Sequence, residues 1–223
     1  MPELPEVETT TRGLRKTIVG LFIKNVWTDL ARRNLSEGGW TKQHQDTIKS
    51  LKYFKIFKKE VLNKKVLSVE RRAKNILINI SGSKTILVHL KMTGHLLYGK
   101  YKFTSPLAPL LNKERGLRRG SAWIPTERGP LNDQYNRFVH AVFTLSNGKN
   151  LAFSDARKFG KITLLETATM YESKHLKNIG PEPLEHGFTL EKFKKRLSAS
   201  WRRKIKTVLM DQSVIAGIGN IYS

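Results

Sequence analysis

The opening residues Met1-Pro2-Glu3-Leu4-Pro5-Glu6 carry the types that covalent chemistry needs. Proline stands second, and removal of Met1, which a small second residue permits, exposes its ring nitrogen as a secondary amine. An α-amino group has a pKa of about 8, well below that of lysine. A positive field lowers it further, so a usable fraction is neutral and nucleophilic at pH 7. Such an amine can attack an electrophilic sugar carbon and form an iminium ion. Glu3 and Glu6 beside it can supply acid–base chemistry. The competing reading of the same residues is a helix start, with proline in a first turn where a missing N–H costs little.

Further groups of residues could serve such a nucleophile. Arg71-Arg72-Ala73-Lys74 lies between two strand-like runs. A lysine at a strand end could reach a phosphate beside the reacting sugar, the alternative being a solvated charge cluster. His89-Leu90-Lys91-Met92-Thr93-Gly94 offers an apolar tip, and Asp155-Ala156-Arg157-Lys158-Phe159-Gly160 a cation with an aromatic ring. A protein that turns a base out of a duplex must fill the hole with apolar or planar groups. Met92 and Phe159 can wedge and Arg157 can bond the orphaned base; their alternative is core packing. Met210-Asp211-Gln212 precedes Gly217-Ile218-Gly219-Asn220-Ile221-Tyr222. A Gly-x-Gly turn between helices exposes backbone N–H groups able to hold a phosphate. Upstream, Lys192, Lys194, Lys195, Arg196, Arg202, Arg203, Lys204 and Lys206 form a basic face with so little acid that phosphate binding is favoured over mere solubility.

Composition agrees. Among 223 residues, 41 Lys and Arg oppose 18 Asp and Glu, a net charge of +23. That excess points to a polyanionic partner, most simply nucleic acid. A hydrophobic fraction of 39% excludes a disordered polycation but leaves open a ribosomal or chromatin-like protein that only coats phosphate. No run of about 20 apolar residues exists to span a membrane, and the acidic N-terminus lacks an apolar signal core. There is no cysteine, so disulfides and thiolate metal sites are excluded within these residues. The histidines show neither H-x3-H nor HExxH spacing, and no metal is expected here.

The elements that must position these groups can be read from periodicity. Residues 2–19 read as a helix, with Glu3, Glu6 and Glu8 at its positive end, Arg12, Arg15 and Lys16 toward the other, and Gly20 as stop. Strand-like runs follow at Leu21–Trp27, Val66–Val69, Asn75–Ile80, Thr85–Leu90, Phe138–Leu145, Asn150–Phe153 and Ile162–Leu165. Ile76, Ile78 and Ile80 alternate as in a half-buried strand, and Asn147-Gly148 marks a hairpin turn. Many short strands predict a sandwich or barrel. Residues 34–60 read as basic and partly helical, with Ile48, Leu51, Phe54 and Phe57 on one stripe. Residues 99–135 read as a long irregular loop. Helices are predicted after Thr189 (Leu190, Phe193, Leu197) and over Lys204–Met210, joined to the strands by Gly180-Pro181-Glu182-Pro183.

Taken together, the motifs resemble the formamidopyrimidine-DNA glycosylase family along nearly the whole chain. Pro-Glu-Leu-Pro-Glu-Val-Glu-Thr resembles its N-terminal signature and Arg71–Lys74 its lysine loop. His89–Gly94 is similar to its first intercalation loop, with Lys91 where glycine is usual. Asp155–Gly160 resembles its Asp-Pro-Arg-Arg-Phe-Gly with two substitutions. Gly180–Leu184 and Ala216–Tyr222 are similar to its helix–two-turn–helix module. The resemblance implies an α+β fold: an N-terminal catalytic β-sandwich with flanking helices over 1–166, then a helix–two-turn–helix DNA-binding module over 167–223. It implies base excision repair of oxidised purines (8-oxoguanine, formamidopyrimidines), with Pro2 as Schiff-base nucleophile, Glu3 as acid and Lys74 on a phosphate flanking the lesion. Glu6 would position the lesion, and Met92, Arg157 and Phe159 would fill the void. His89, Lys204, Gly219, Asn220 and Tyr222 would hold phosphate, and β- and δ-elimination would follow excision.

The implied partner is double-stranded DNA carrying an oxidised base or abasic site, met by a monomer in the bacterial cytoplasm at the nucleoid. The family continues past the Asn-Ile-Tyr turn into further helices and a zinc (or zincless) finger. The module is therefore expected to be cut within its bundle at Ser223, with zinc only in a finger beyond it. Residues 34–60 and 99–135 are departures, and Lys100, Lys102, Lys113, Arg115, Arg118, Arg119 and Arg128 are expected to add DNA grip. A DNA- or damage-binding homologue with weak or no catalysis stands as one alternative. An endonuclease VIII-type enzyme acting on pyrimidine lesions is the other, which Leu4, Val7 and the Met92, Arg157, Phe159 set disfavour.

Overall fold

A computed structural model describes residues 2–31, 45–104 and 123–223. The first helix, α1 (Leu4–Thr17), begins after Glu3, so Pro2 precedes the helix rather than lying in its first turn. Pro5 does lie there, and Glu6 reaches back to accept from the Glu3 N–H at 2.8 Å, the reciprocal bond that closes a helix start. Val7 and Leu14 turn inward, and Ile18 follows them into the core. Arg15 and Lys16 sit at the negative end of the dipole.

Among the described residues, ten strands follow in two four-stranded antiparallel sheets and one ribbon. In chain order they are β1 (Ile23–Thr28), β2 (Val66–Arg72), β3 (Asn75–Ile80), β4 (Lys84–His89), β5 (Gly94–Gly99), β6 (Tyr101–Phe103), β7 (Trp123–Pro125), β8 (Val139–Leu145), β9 (Asn150–Asp155) and β10 (Lys161–Glu166). One sheet has the order β1-β8-β9-β5, the other β10-β4-β3-β2, and β6 pairs with β7. The sheets enclose one large core built from Ile23, Val26, Val69, Ile76, Ile78, Ile86, Val88, Phe143, Leu151 and Phe153. Each such side chain, fully buried, stabilises the fold by about 1.5–3 kcal/mol.

The alternation over 75–80 predicts one wet face, but β3 is buried on both. Leu77 and Leu87 pack with Met170 and Leu176 beyond the sheet, because the segment after β10 folds back over it. The other sheet is covered outside too, where Tyr101, Val139, Val142 and Ala152 meet Trp27 and Trp123.

The interruptions resolve in part. Residues 32–44 and 105–122 lie outside the described set, and with them Lys113, Arg115, Arg118 and Arg119. Residues 51–61 form α2 (Leu51–Val61), capped by Ser50 and burying Phe57 and Val61. Phe57 meets Phe143 edge-on at 6.2 Å, so this stripe is core. Nor are residues 99–135 loop throughout. The β6–β7 ribbon sets Phe103 edge-on to Trp123 at 5.5 Å, and one-turn 3-10 helices span Pro130–Asn132 and Gln134–Asn136. Lys100, Lys102 and Arg128 are exposed. The C-terminal part carries α3 (Leu190–Ser198), capped by Thr189, and α4 (Ile205–Met210). No helix among the described residues is long and apolar enough to cross a membrane.

Candidate nucleic-acid interface and active site

The chemistry-bearing residues gather at one end of the β10-β4-β3-β2 sheet. The β2–β3 turn carries Ala73 and Lys74, and Asn75 pairs with His89, which pairs in turn with Lys161. Strand register alone thus brings the Lys74 turn, the end of β4 and the start of β10 together.

The N-terminus is locked to the Gly-x-Gly turn 216 residues away. The Glu3 side chain is fully buried. Its carboxylate accepts from the Gly219 N–H at 2.7 Å and the Ile221 N–H at 2.8 Å, and Leu4 donates its N–H to the Gly217 carbonyl at 3.2 Å. Both glycines are required. Gly217 sits at φ +96°, and a Cβ there would meet Leu4 Cδ1 at 2.3 Å; a Cβ on Gly219 would meet Glu3 Cδ at 2.4 Å and Lys74 Nζ at 2.6 Å. Gln212 shapes this turn, accepting from the Gly217 N–H at 2.9 Å and donating to the Ile218 carbonyl at 2.6 Å. The sequence drew attention to the turn but assigned Gln212 no role.

Lys74 is buried and donates to the Ile218 carbonyl at 2.8 Å. Burial lowers its pKa, while the charges of Glu3 and Glu6 pull the other way. Burial would raise the Glu6 carboxyl, but the Glu3 N–H and the Tyr222 hydroxyl, at 2.8 Å each, hold it below its ordinary value. Pro2 is half-buried beside this group. Thus Pro2, Glu3, Glu6, Lys74, Gly219 and Tyr222 are brought together, with Tyr222 spending its proton on Glu6. Asn220 and Lys204 are exposed, as is the whole basic set from Lys192 to Lys206.

Arg71 and Arg72 are not a solvated cluster. Arg71 bonds Glu8 at 2.8 Å and Glu182 at 2.6 Å, and the Arg71 and Glu182 side chains are only 8% and 3% exposed. Arg72 donates to the carbonyls of Ile179 at 2.9 Å and Gly180 at 2.8 Å. Glu182 also accepts the Ala73 N–H. The Gly-Pro-Glu-Pro connector is therefore clamped to the Lys74 turn, a role that spacing could not reveal because the partners lie over 100 residues apart.

The two wedge turns also meet. Met92 and Phe159 are 41% and 48% exposed, so neither is core. Arg157 places Nη1 3.1 Å from Met92 Sδ and its guanidinium 4.8 Å from the Phe159 ring centroid. Asp155, fully buried, ties the turns together: it accepts the Thr93 hydroxyl, the Arg157 N–H at 3.2 Å and the Gly160 N–H at 2.7 Å. Burial, then Lys91, Lys161, Lys74 and His175, push His89 down to about 3. It is neutral, and Nδ1 accepts from the Lys91 N–H at 3.0 Å. Only Nε2–H is left for a phosphate.

Lys91 sits at φ +58°, a left-handed conformation that costs a side chain roughly 1 kcal/mol. Lys91→Gly is expected to raise stability by up to about 1 kcal/mol, read as a higher urea midpoint at unchanged slope. A lower midpoint would show that the lysine side chain contributes more than its backbone strain costs.

Comparison with known proteins agrees with this layout. The model of the formamidopyrimidine-DNA glycosylase N-terminal domain matches residues 1–162, and that of the formamidopyrimidine-DNA glycosylase H2TH domain matches residues 179–223. The chain belongs to the formamidopyrimidine-DNA glycosylase family. It is 37% identical over all 223 residues to the formamidopyrimidine-DNA glycosylase of Pelotomaculum thermopropionicum and 34% to that of Herpetosiphon aurantiacus, covering 64% of each. Among solved structures it resembles the Lactococcus lactis Fpg in complex with abasic-site DNA (25% identity, TM-score 0.68, 99% of this chain and 64% of that one). It also resembles the same organism's Fpg in complex with FAPY-dG DNA (27%, 0.68, 99% and 65%). The chain thus spans about 64% of the length of the curated relatives it matches.

Proposed function

We propose that this chain carries the nucleophile and proton-transfer groups of a base-excision DNA glycosylase with abasic-site lyase activity, acting on oxidised purines in double-stranded DNA. The observation that carries the proposal is the convergence of Lys74 and the Gly217–Tyr222 turn on Glu3, the residue following Pro2. The relatives' structures with abasic-site and FAPY-dG DNA support the partner and the lesion class, and the net charge of +23 suits phosphate.

In this reading the neutral Pro2 nitrogen gives its lone pair to C1′. The glycosidic bond breaks with its electrons on the departing base, which takes up a proton. The nitrogen passes its proton to the Glu3 carboxylate, which delivers it to O4′ as the sugar ring opens and the nitrogen lone pair closes the C1′=N iminium. Loss of a C2′ proton then expels the 3′ phosphate, and a further elimination expels the 5′ phosphate. Lys74 spends one proton on Ile218 and keeps two donors for a flanking phosphate. Met92, Arg157 and Phe159 enter the gap left in the stack, while Asn220, Lys204 and the Nε2–H of His89 face the backbone; Gly219, expected from the sequence to hold phosphate, is buried with its N–H spent on Glu3 and does not. Tyr222 holds Glu6 in place for the lesion.

Borohydride reduces the iminium and freezes a covalent complex. Wild-type protein freed of Met1 is expected to trap on abasic or 8-oxoguanine duplex. Pro2→Gly is expected to lose at least about 100-fold in trapping rate while binding DNA unchanged. Equal trapping by that variant would overturn the nucleophile assignment.

A further inference from the structure

Lys49 is the largest charged side chain that the fold buries almost completely, at 1% exposure. It lies just ahead of α2, on a segment pinned to β10: Ile48 donates its N–H to the Ile162 carbonyl at 3.1 Å, and Tyr53 bonds Thr163 at 2.9 Å. From there its Nζ reaches the Lys158 carbonyl at 2.7 Å. Lys158 is itself at φ +58°, between Arg157 and Phe159. Burying an ammonium costs several kcal/mol unless it is compensated, and core packing at this position needs only an apolar chain. The observed side chain instead brings an ammonium onto the carbonyl of a strained turn. The surrounding charges are Asp155 from β9, which favours the ammonium, and Lys161 from β10 and Lys91 from the β4–β5 turn, which oppose it; burial dominates and lowers Lys49 to about 8.

We propose that Lys49 is a positioning residue: its ammonium holds the Lys158 carbonyl and thereby fixes how Arg157 and Phe159 are presented to an opened duplex. The inference rests on the glycosylase reading above. Lys49 touches neither DNA nor the reacting atoms. Its contribution is needed only where a stack must be filled, so a duplex feels its loss and a single strand does not.

The test compares single-turnover cleavage of one abasic oligonucleotide as duplex and as single strand. The ratio of the two rates cancels the titration of Pro2 and Glu3, which both substrates share. In wild type the ratio is expected to fall as pH rises through about 8, because the ammonium is present below that pH and lost above it. Lys49→Met is expected to lower the ratio at least tenfold at pH 7 and to abolish its pH dependence. Lys49→Arg, permanently charged, is expected to restore most of the ratio and to flatten its fall near pH 8. An unchanged ratio in Lys49→Met overturns the proposal and leaves the glycosylase reading intact. Wild-type protein that cleaves neither strand overturns both. If the variants do not melt cooperatively, a wild-type ratio that stays flat between pH 7 and 9 overturns the proposal.

Discussion

Gly219→Ala is expected to disable strand cleavage by at least about 100-fold. The added methyl would fall 2.4 Å from Glu3 Cδ and 2.6 Å from Lys74 Nζ, and neither neighbour has room to yield. Glu3 is held by two backbone donors and Lys74 by the Ile218 carbonyl, so relieving the clash means breaking one of these bonds. Overpacking of this kind costs about 1–3 kcal/mol, which the fold survives. Misplacing a reacting group by about 1 Å costs on the order of 10²-fold in rate. The measurement is single-turnover cleavage of abasic duplex beside a thermal melt. A cooperative melt with cleavage near the wild-type rate would refute the assignment of Glu3 and Lys74 to the chemistry.

Glu182→Ala is expected to be the most destabilising single change at the site. It removes one of the two carboxylate partners of a guanidinium that is 8% exposed, leaving Glu8, and takes away the acceptor of the Ala73 N–H. Breaking a buried ion pair from one side costs about 3–5 kcal/mol, and the Glu8 carboxylate that stays on Arg71 holds the loss at the lower end of that range. In a protein of this size that lowers the melting temperature by roughly 10 °C. The Lys74 turn loses its brace at the same time, so cleavage should fall as well. The joint variant Arg71→Met with Glu182→Met separates pairing from packing. Replacing both charges by apolar groups of similar volume is often neutral, and the pair should melt well above Glu182→Ala alone. A double variant as unstable as the single would place the cost in lost shape rather than lost charge.

Much of this could be read in the residues. The period-2 run at 75–80 and the Asn147-Gly148 turn gave strands where strands are found, because local alternation and turn chemistry act over a few residues. Residues 94–99 were not anticipated as a strand, since β5 opens at Gly94 and closes at Gly99 with His95 outward, which blurs the alternation. Motifs named Glu3, Lys74, Met92, Arg157 and Phe159, whose separate segments the fold does bring into two groups. The roles of Arg71, Glu182 and Lys49 stayed hidden for one reason. Each acts through a partner supplied by tertiary folding, and a charged or amide side chain looks the same in a sequence whether it is solvated or sealed.

The bonds from Gly219 and Ile221 to Glu3 join the earliest residues made to ones made more than two hundred later. A growing polypeptide therefore carries Pro2 through more than two hundred further residues of synthesis before Glu3 can be fixed beside it and Lys74 anchored to the Ile218 carbonyl. Under the proposed function, reactivity toward sugar aldehydes is withheld from the nascent chain on the ribosome until the Gly-x-Gly turn closes over Glu3.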